Sequence, residues 1–150
     1  MRLGTSHILA AVVICSLLLP GTVAPFCFEE AGRLYGISPL LLWGIAQTES
    51  NFDPAAVNWN SNGTYDFGVM QINSSWAPVI GPALWQRLGD ACTNVKVGAW
   101  VLAGCIGRFG YTWNAVGCYN SASPAKRSLY ARRVWRSISV AIRSSEAVNE

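Results

Sequence analysis

The chain has 150 residues, of which 51% are hydrophobic and 13% are charged, and its formal net charge is +3. This length supports one compact domain and leaves little room for a second. Because the positive charge is small, it favours an anionic partner only weakly and does not select nucleic acid over another acidic polymer. No nucleic-acid partner is expected.

The N-terminal segment has the order of a secretory signal peptide. Arg2 precedes an apolar run from Ile8 to Leu19, and small residues follow up to Ala24. The run is shorter than the ~20 residues that usually span a membrane. We therefore predict a signal peptide in residues 1–24, cut between residues 20 and 26, a domain in residues 25–150, and export to the periplasm or beyond the cell. A retained membrane anchor is the alternative.

Cleavage would remove Cys15 and His7, the only histidine of the chain. The mature chain would then offer no histidine, which excludes Ser-His and Cys-His nucleophile pairs and histidine metal sites, so no metal is predicted and carboxylates are the best candidates for acid and base chemistry. An even number of cysteines in an exported protein predicts two disulfides. The alternatives are buried thiols or, with no C-x-x-C pair present, a zinc site. The remaining cysteines are Cys27, Cys92, Cys105 and Cys118.

Two helices are predicted at the start of the mature chain. The first runs from Phe28 to Tyr35, and the second starts at Pro39, after Ser38 as its cap, and ends near Ser50. Apolar residues at helical spacing would face the core and place Glu49 at its edge. These residues are Leu41, Leu42, Ile45 and Ala46.

A turn-rich segment follows, from Asn51 to Gly68, in which Asn62-Gly63 is a hairpin-turn pattern. Little strand is expected here. A short helix is predicted over Ala83 to Leu88.

Three more helices are predicted in the C-terminal half. Thr93 would cap a long helix over Asn94 to Phe109, and Thr112 would cap another that extends through Tyr119. Pro124 would begin the last helix, whose basic residues we interpret mainly as a solvated face. They are Lys126, Arg127, Arg132, Arg133 and Arg136.

These helices restrict the disulfides. Cys92 and Cys105 would lie on one helix about 20 Å apart, beyond the roughly 4.4 to 6.8 Å that a disulfide allows. Cys105 and Cys118 lie at similar distances from the bend between Gly110 and Thr112. We therefore expect Cys105–Cys118 and Cys27–Cys92.

Three sequence blocks carry a family resemblance. Glu49-Ser50 ends a predicted helix, Gly-Val-Met-Gln-Ile-Asn occupies residues 68–73, and Ala-Val-Gly-Cys-Tyr-Asn occupies residues 115–120. Together they resemble the small soluble lytic transglycosylases that accompany type III and type IV secretion systems and conjugative pili, in the lysozyme-like superfamily. The resemblance covers Cys27 to about Trp135, and many members carry cysteines that match Cys27 and Cys92. Ser121 and Ala122 depart from the Ala-Gly that other members have.

The resemblance implies a mainly α, lysozyme-like α+β fold, with helices around a cleft and a small irregular or β-hairpin segment between Asn51 and Gln71. It implies cleavage of the N-acetylmuramic acid–N-acetylglucosamine bond without water, 1,6-anhydro ends and no cofactor. The expected partners are peptidoglycan glycan strands and components of a secretion system or pilus. A hydrolytic lysozyme and a non-catalytic peptidoglycan-binding component are the alternatives.

Glu49 is the expected catalytic acid, because an apolar site can keep a carboxyl group protonated near neutral pH. The run from Glu49 to Asp66 resembles animal and bird-type lysozymes, which makes Asp66 a candidate second carboxylate that stabilises positive charge on the sugar. The alternative for Asp66 is a turn hydrogen-bond acceptor. The expected substrate-binding residues are Ser50, Met70, Gln71, Asn73, Tyr119 and Asn120.

Further expectations concern the positions of individual side chains. By resemblance, Tyr119 would contact the catalytic carboxyl group, while Met70 would point inward by alternation along the chain. Among the tryptophans, Trp59 and Trp76 are predicted in the groove and Trp43 and Trp100 in the core.

Overall fold

The computed structural model describes residues 26–148. The predicted signal peptide and its cleavage site therefore lie almost entirely outside the described residues. Within residues 26–148, no helix has the length and hydropathy required to cross a membrane.

Seven α-helices and one small sheet make up the described chain, so the predicted mainly α fold with a hairpin segment is confirmed. The helices are α1 (Phe28–Tyr35), α2 (Pro39–Ser50), α3 (Ala77–Ile80), α4 (Pro82–Trp85), α5 (Ala91–Phe109), α6 (Trp113–Asn120) and α7 (Pro124–Val148). The strands are β1 (Val57–Trp59), β2 (Tyr65–Phe67) and β3 (Ile72–Asn73), and a 3-10 turn spans Ser74–Trp76.

The core lies where α2, α5, α6 and α7 pack together. Leu42 and Ile45 of α2 are fully buried, as is Val134 of α7. Two glycines allow close helix packing: a Cβ on Gly44 would come within 2.5 Å of Ile138, and one on Gly117 within 2.5 Å of Arg127. This close packing holds α7 against both α2 and α6.

The start of α5 differs from the prediction. Asp90, not Thr93, caps the helix: its Oδ1 accepts hydrogen bonds from the Thr93 backbone N–H at 2.8 Å and from the Thr93 hydroxyl at 2.7 Å. An aspartate at this position satisfies the free N–H groups of the first turn, so the helix begins three residues earlier than predicted. The predicted helix over Ala83 to Leu88 is also shifted, since α4 begins at Pro82 and ends at Trp85.

Both expected disulfides are present. Cys27 is bonded to Cys92, which fixes the start of α1 on the first turn of α5, and Cys105 is bonded to Cys118 across the bend between α5 and α6. The four cysteines are thus paired, which excludes the alternative of four free thiols.

The sheet is antiparallel with strand order β1-β2-β3. Its first hairpin turns at Asn62-Gly63, as predicted; the Asn60 N–H donates to the Thr64 carbonyl at 2.8 Å, and Gly63 has a φ of 82°. A positive φ of this kind favours glycine. The register places Asp66, in the central strand, between Asn58 and Asn73.

Candidate active site

A polar cleft of about 470 Å³ lies between the sheet and the ends of α2 and α6. It gathers residues from all three sequence blocks described above. Those of the predicted site that line it are Glu49, Asp66, Gln71, Asn73, Tyr119 and Asn120.

Glu49 lies in the last turn of α2 and is partly buried. Its Oε1 accepts a hydrogen bond from the Tyr130 hydroxyl of α7 at 2.5 Å. Burial raises the pKa of Glu49 to about 7, although the Tyr130 hydrogen bond and the charge of Arg133 act to lower it, and Asp66 raises it slightly. A carboxyl group with this pKa can donate a proton and later accept one near neutral pH.

Tyr130 was missed by the sequence analysis, which assigned the contact with the carboxyl group to Tyr119. The Tyr119 hydroxyl instead donates to the Met70 carbonyl at 2.7 Å, and its ring stacks on that of Tyr130 at 6.5 Å. A pattern in α7 could have indicated Tyr130, because it lies at helical spacing with the buried Val134 and Ile138.

Asp66 faces the same cleft from β2, with both carboxylate oxygens hydrogen-bonded. Oδ1 accepts from the Asn73 side-chain amide at 2.7 Å, and Oδ2 accepts from the Asn60 amide at 2.9 Å. Asn60 lies at the base of the hairpin turn, so Asp66 also serves as a hydrogen-bond acceptor for that turn, as its alternative role requires. Both donors are neutral amides, and no cationic side chain among residues 26–148 forms an ion pair with Asp66, so its negative charge is available to the cleft.

Gln71 and Asn73 both line the cleft and also organise it. Gln71 has a φ of 49°, and its side-chain amide donates to the carbonyls of Gly68 at 2.9 Å and Ala56 at 3.2 Å. The Asn73 side-chain oxygen, Oδ1, caps the 3-10 turn by accepting from the Ser75 N–H at 3.0 Å. Any contact of these residues with a sugar would therefore come from side chains that are already held in place.

Two expected substrate contacts are corrected by the structure. The side chain of Met70 is fully buried, where it packs against Gly98 of α5, so it cannot reach a substrate. Its predicted inward orientation is confirmed. Ser50 does not line the cleft either, because its hydroxyl donates to the Val69 carbonyl at 2.8 Å. This bond joins the end of α2 to the loop after β2.

The tryptophans follow the prediction only in part. Trp76 lines the cleft and packs edge-on against Trp100 at 5.1 Å, but Trp59 is 75% exposed on β1 and does not line it. Trp100 is 36% exposed, so its predicted core position is wrong. It lies one turn after the buried Val97 on the edge of the apolar face of α5, where a large ring can cover its neighbour without being enclosed.

Asn94 is a further residue that the sequence analysis missed. It is fully buried in α5, accepts from the Met70 N–H at 2.8 Å, and donates to the carbonyls of Phe67 and Leu88 at 3.1 Å each. A Cβ on Gly68 would collide with its amide, and Gly68 also has a φ of 78°. Asn94 thus fastens the loop that carries Met70 and Gln71 to the helical core.

We expect Asn94→Ala to lower the free energy of unfolding by about 2 to 4 kcal/mol, because the change leaves buried donors and acceptors without partners. Chemical denaturation measures this difference. Asn114→Ala, at an exposed position on α6, is the control and should change stability by no more than about 0.5 kcal/mol. Equal losses in the two variants would contradict the role assigned to Asn94.

The chain is similar to known proteins over most of its length. The transglycosylase SLT domain family matches residues 26–142. The chain is 37% identical over 131 residues to the invasion protein IagB of Salmonella typhimurium (strain SL1344), with 83% of this chain and 82% of the relative covered. It is 36% identical over 132 residues to the protein IpgF of Shigella flexneri, with 83% and 87% covered. A peptidoglycan-binding-like protein of Escherichia coli O157:H7 is 32% identical over 123 residues, with 73% and 74% covered.

Proposed function

Because the chain belongs to the transglycosylase SLT domain family, whose members are peptidoglycan lytic transglycosylases, we propose that it cleaves the β-1,4 bond from N-acetylmuramic acid to N-acetylglucosamine and leaves 1,6-anhydro ends. The observation that carries this proposal is Glu49, a cleft carboxyl group whose pKa burial raises to about 7. No cofactor enters the reaction.

In the first step, Glu49 donates its proton to the glycosidic oxygen as the bond to the anomeric carbon breaks. The carbonyl oxygen of the substrate's own acetamido group bonds to that carbon and takes up the developing positive charge. Glu49 is then a carboxylate, and the short hydrogen bond from Tyr130 stabilises this charged form.

In the second step, the Glu49 carboxylate removes the proton from the 6-hydroxyl group of the muramic acid. The 6-oxygen bonds to the anomeric carbon and the acetamido oxygen leaves, which closes the anhydro ring and returns Glu49 to its protonated form. Acid and base are the same group, so a pKa near the working pH serves both steps.

Tyr130→Phe should move the basic limb of the pH–rate profile to higher pH. The Tyr130 hydrogen bond lowers the pKa of Glu49 against the effect of burial, so its loss lets that pKa rise, and the acid form persists to higher pH. The measurement is kcat/KM for soluble glycan strands as a function of pH. Tyr119→Phe is the matched control, because its hydroxyl group bonds the Met70 carbonyl and not the carboxyl group. A basic limb that moves to lower pH in Tyr130→Phe, or equally in both variants, would contradict this role.

Hydrolysis, as in a lysozyme, is the second candidate, and Asp66 is the observation that favours it. A second carboxylate in the same cleft can stabilise a positively charged or covalent sugar intermediate long enough for water to attack. Under the preferred mechanism Asp66 assists electrostatically, while the 6-hydroxyl group remains the attacking group.

The relatives support a biological setting. One is named an invasion protein and another a peptidoglycan-binding-like protein. We propose that this enzyme acts in the periplasm after export and opens the cell wall locally for a secretion system or pilus, with components of that machine as partners.

Release of soluble glycan fragments from purified peptidoglycan sacculi tests the catalytic proposal. The oxidised protein should solubilise sacculi, with Glu146→Gln, an exposed position outside both the cleft and its neighbouring grooves, as active as the wild type. Binding to sacculi without any release would instead support the alternative of a non-catalytic peptidoglycan-binding component.

A further inference from the structure

A second groove, of about 530 Å³, lies on α6 and α7 outside the cleft. Trp113 and Asn114 contribute from the first turn of α6, and Arg127, Ser128, Arg132 and Trp135 contribute from α7. None of its lining residues also lines the cleft that holds Glu49. Tyr119 and Asn120 of the cleft lie in the last turn of α6. The first turn, which lines the second groove, is about 10 Å away along the helix axis.

Two exposed indole rings dominate this groove. Trp113 is 46% exposed and Trp135 is 53% exposed, and they meet edge to face with centroids 5.6 Å apart and planes at 80°. About half of each side chain is therefore exposed and available to a ligand. Two large exposed aromatic rings in one groove mark a binding surface rather than a scattered surface residue.

The polar groups between the rings suit a hydroxylated and acidic ligand. Arg132 has no ion pair or hydrogen bond among residues 26–148. Arg127, in contrast, is held in place, since it donates to the carbonyls of Ser121 at 3.0 Å and Ala122 at 2.9 Å and lies 4.4 Å over the Phe109 ring. From residue 91 to residue 145 the sequence has no Asp or Glu, so nothing acidic on α6 or on this part of α7 neutralises the guanidinium groups.

The lining also argues against an apolar protein helix as the occupant. Besides the indole rings, its only apolar member is the small Ala131. Grooves that accept amphipathic helices offer pockets for aliphatic anchors. Leucine, isoleucine, valine and methionine do not line this groove; Leu40, Leu41 and Ile138 line a separate, smaller pocket of about 240 Å³ that adjoins it at the two tryptophans. A pyranose ring has an apolar face of C–H groups and a rim of hydroxyl groups, which match an indole face and the neighbouring amide, hydroxyl and guanidinium groups.

We propose that this groove is a second binding site for peptidoglycan glycan strands. Sugar rings stack on Trp113 and Trp135, and Arg132 pairs with a carboxylate of the stem peptides or of the lactyl ether. The choice of ligand rests on the substrate class given under the proposed function. A strand held here keeps the enzyme on the cell wall while the cleft engages and releases bonds, as expected for two linked binding sites.

Binding by full-length Glu49→Gln protein tests this site without cleavage. Sedimentation with insoluble sacculi should show that adding Trp113→Ala and Trp135→Ala lowers affinity roughly ten- to a hundredfold, the range for losing paired aromatic anchors. Leu129→Ala, an equally exposed apolar truncation on α7 outside the groove, is the control and should bind like the parent.

A soluble probe separates the two sites. Calorimetry with tetrameric N-acetylglucosamine should detect two binding events per chain in Glu49→Gln and only one after both tryptophans are replaced. Arg132→Ala should weaken binding to sacculi, whereas Arg143→Ala, the same charge change farther along α7, should not.

Unchanged binding to sacculi in the double tryptophan variant would overturn the proposal. The proposal would also be overturned if the double variant lost binding to a protein of the secretion machine while its affinity for sacculi remained normal. Circular dichroism verifies that the variants are folded. Because these measurements register binding alone, failure of the proposed cleavage reaction would appear separately, as absence of product from the wild type.

Discussion

Glu49→Gln should abolish nearly all glycan cleavage while the protein stays folded and bound to its substrate. The amide cannot protonate the glycosidic oxygen or accept the proton of the 6-hydroxyl group, so both chemical steps lose their catalyst. General acid–base catalysis by one group contributes up to about 10⁴-fold, and we expect a loss in kcat close to that value. The measurement is the rate of fragment release from sacculi, at substrate concentrations that saturate the wild type.

The pH dependence of the stability of Glu49→Gln provides a control, because the direction of the expected change is known. Burial raises the pKa of Glu49 from 4.5 to about 7 in the folded protein, so between these pH values the folded state binds more protons than the unfolded state. The wild type therefore loses stability as pH rises through this window, and Glu49→Gln should not show that loss. Glu146→Gln, exposed near the end of α7, should retain wild-type activity. Near-normal cleavage by Glu49→Gln would contradict the mechanism.

Asp66→Asn should lower kcat by roughly ten- to a thousandfold, with a smaller effect on affinity, because the carboxylate stabilises positive charge that develops only in the transition state. This corresponds to about 1.4 to 4 kcal/mol of transition-state stabilisation. The 1,6-anhydro products should persist, since the 6-hydroxyl group and Glu49 are untouched. The measurement is kcat and KM on soluble glycan strands, with analysis of the product ends.

In the structure, Asp66→Asn would change the hydrogen bonds of the side chain as well as its charge. Both oxygens of Asp66 accept from amide N–H groups, of Asn60 and Asn73, and an asparagine amide would place a donor against one of those donors. Asn60→Ala, which removes one partner and keeps the carboxylate, separates the two effects. Asp53→Asn, an exposed aspartate outside the cleft, controls for loss of charge alone. Turnover within a few fold of wild type in Asp66→Asn would show that its charge does not assist catalysis.

The helices and the hairpin could be predicted because their determinants are local. These determinants are Pro39 after Ser38, Gly110 after α5, and Asn62-Gly63. They act through backbone conformations that a few neighbouring residues fix. The disulfides followed from the same helices, since the helical rise alone excluded one pairing. The start of α5 was placed too late because two capping residues, Asp90 and Thr93, lie close together, and only the geometry shows that one caps the other.

The site was only partly predictable because its parts come from distant segments. Motif residues placed Glu49 and Asp66 in one cleft, but Tyr130 lies 81 residues from Glu49 along the chain. The role of Asn94 depends on a loop that packs against α5 from a distant part of the sequence, and no local sequence pattern predicts this contact. Ser50 and Met70 belong to the motifs for structural reasons: one fastens the loop after β2 through Val69, and the other fills the space that Gly98 leaves.

Analysis of the newly formed glycan ends tests the central claim most directly. Sacculi are digested with the wild-type protein, treated with borohydride, and the released muropeptides are identified by mass spectrometry. A 1,6-anhydro end has no reducible group and is lighter by one water than a hydrolysed end, so our account predicts muramic ends that resist reduction. Reducible muramic ends as the main product would make this protein a lysozyme and contradict the proposed reaction.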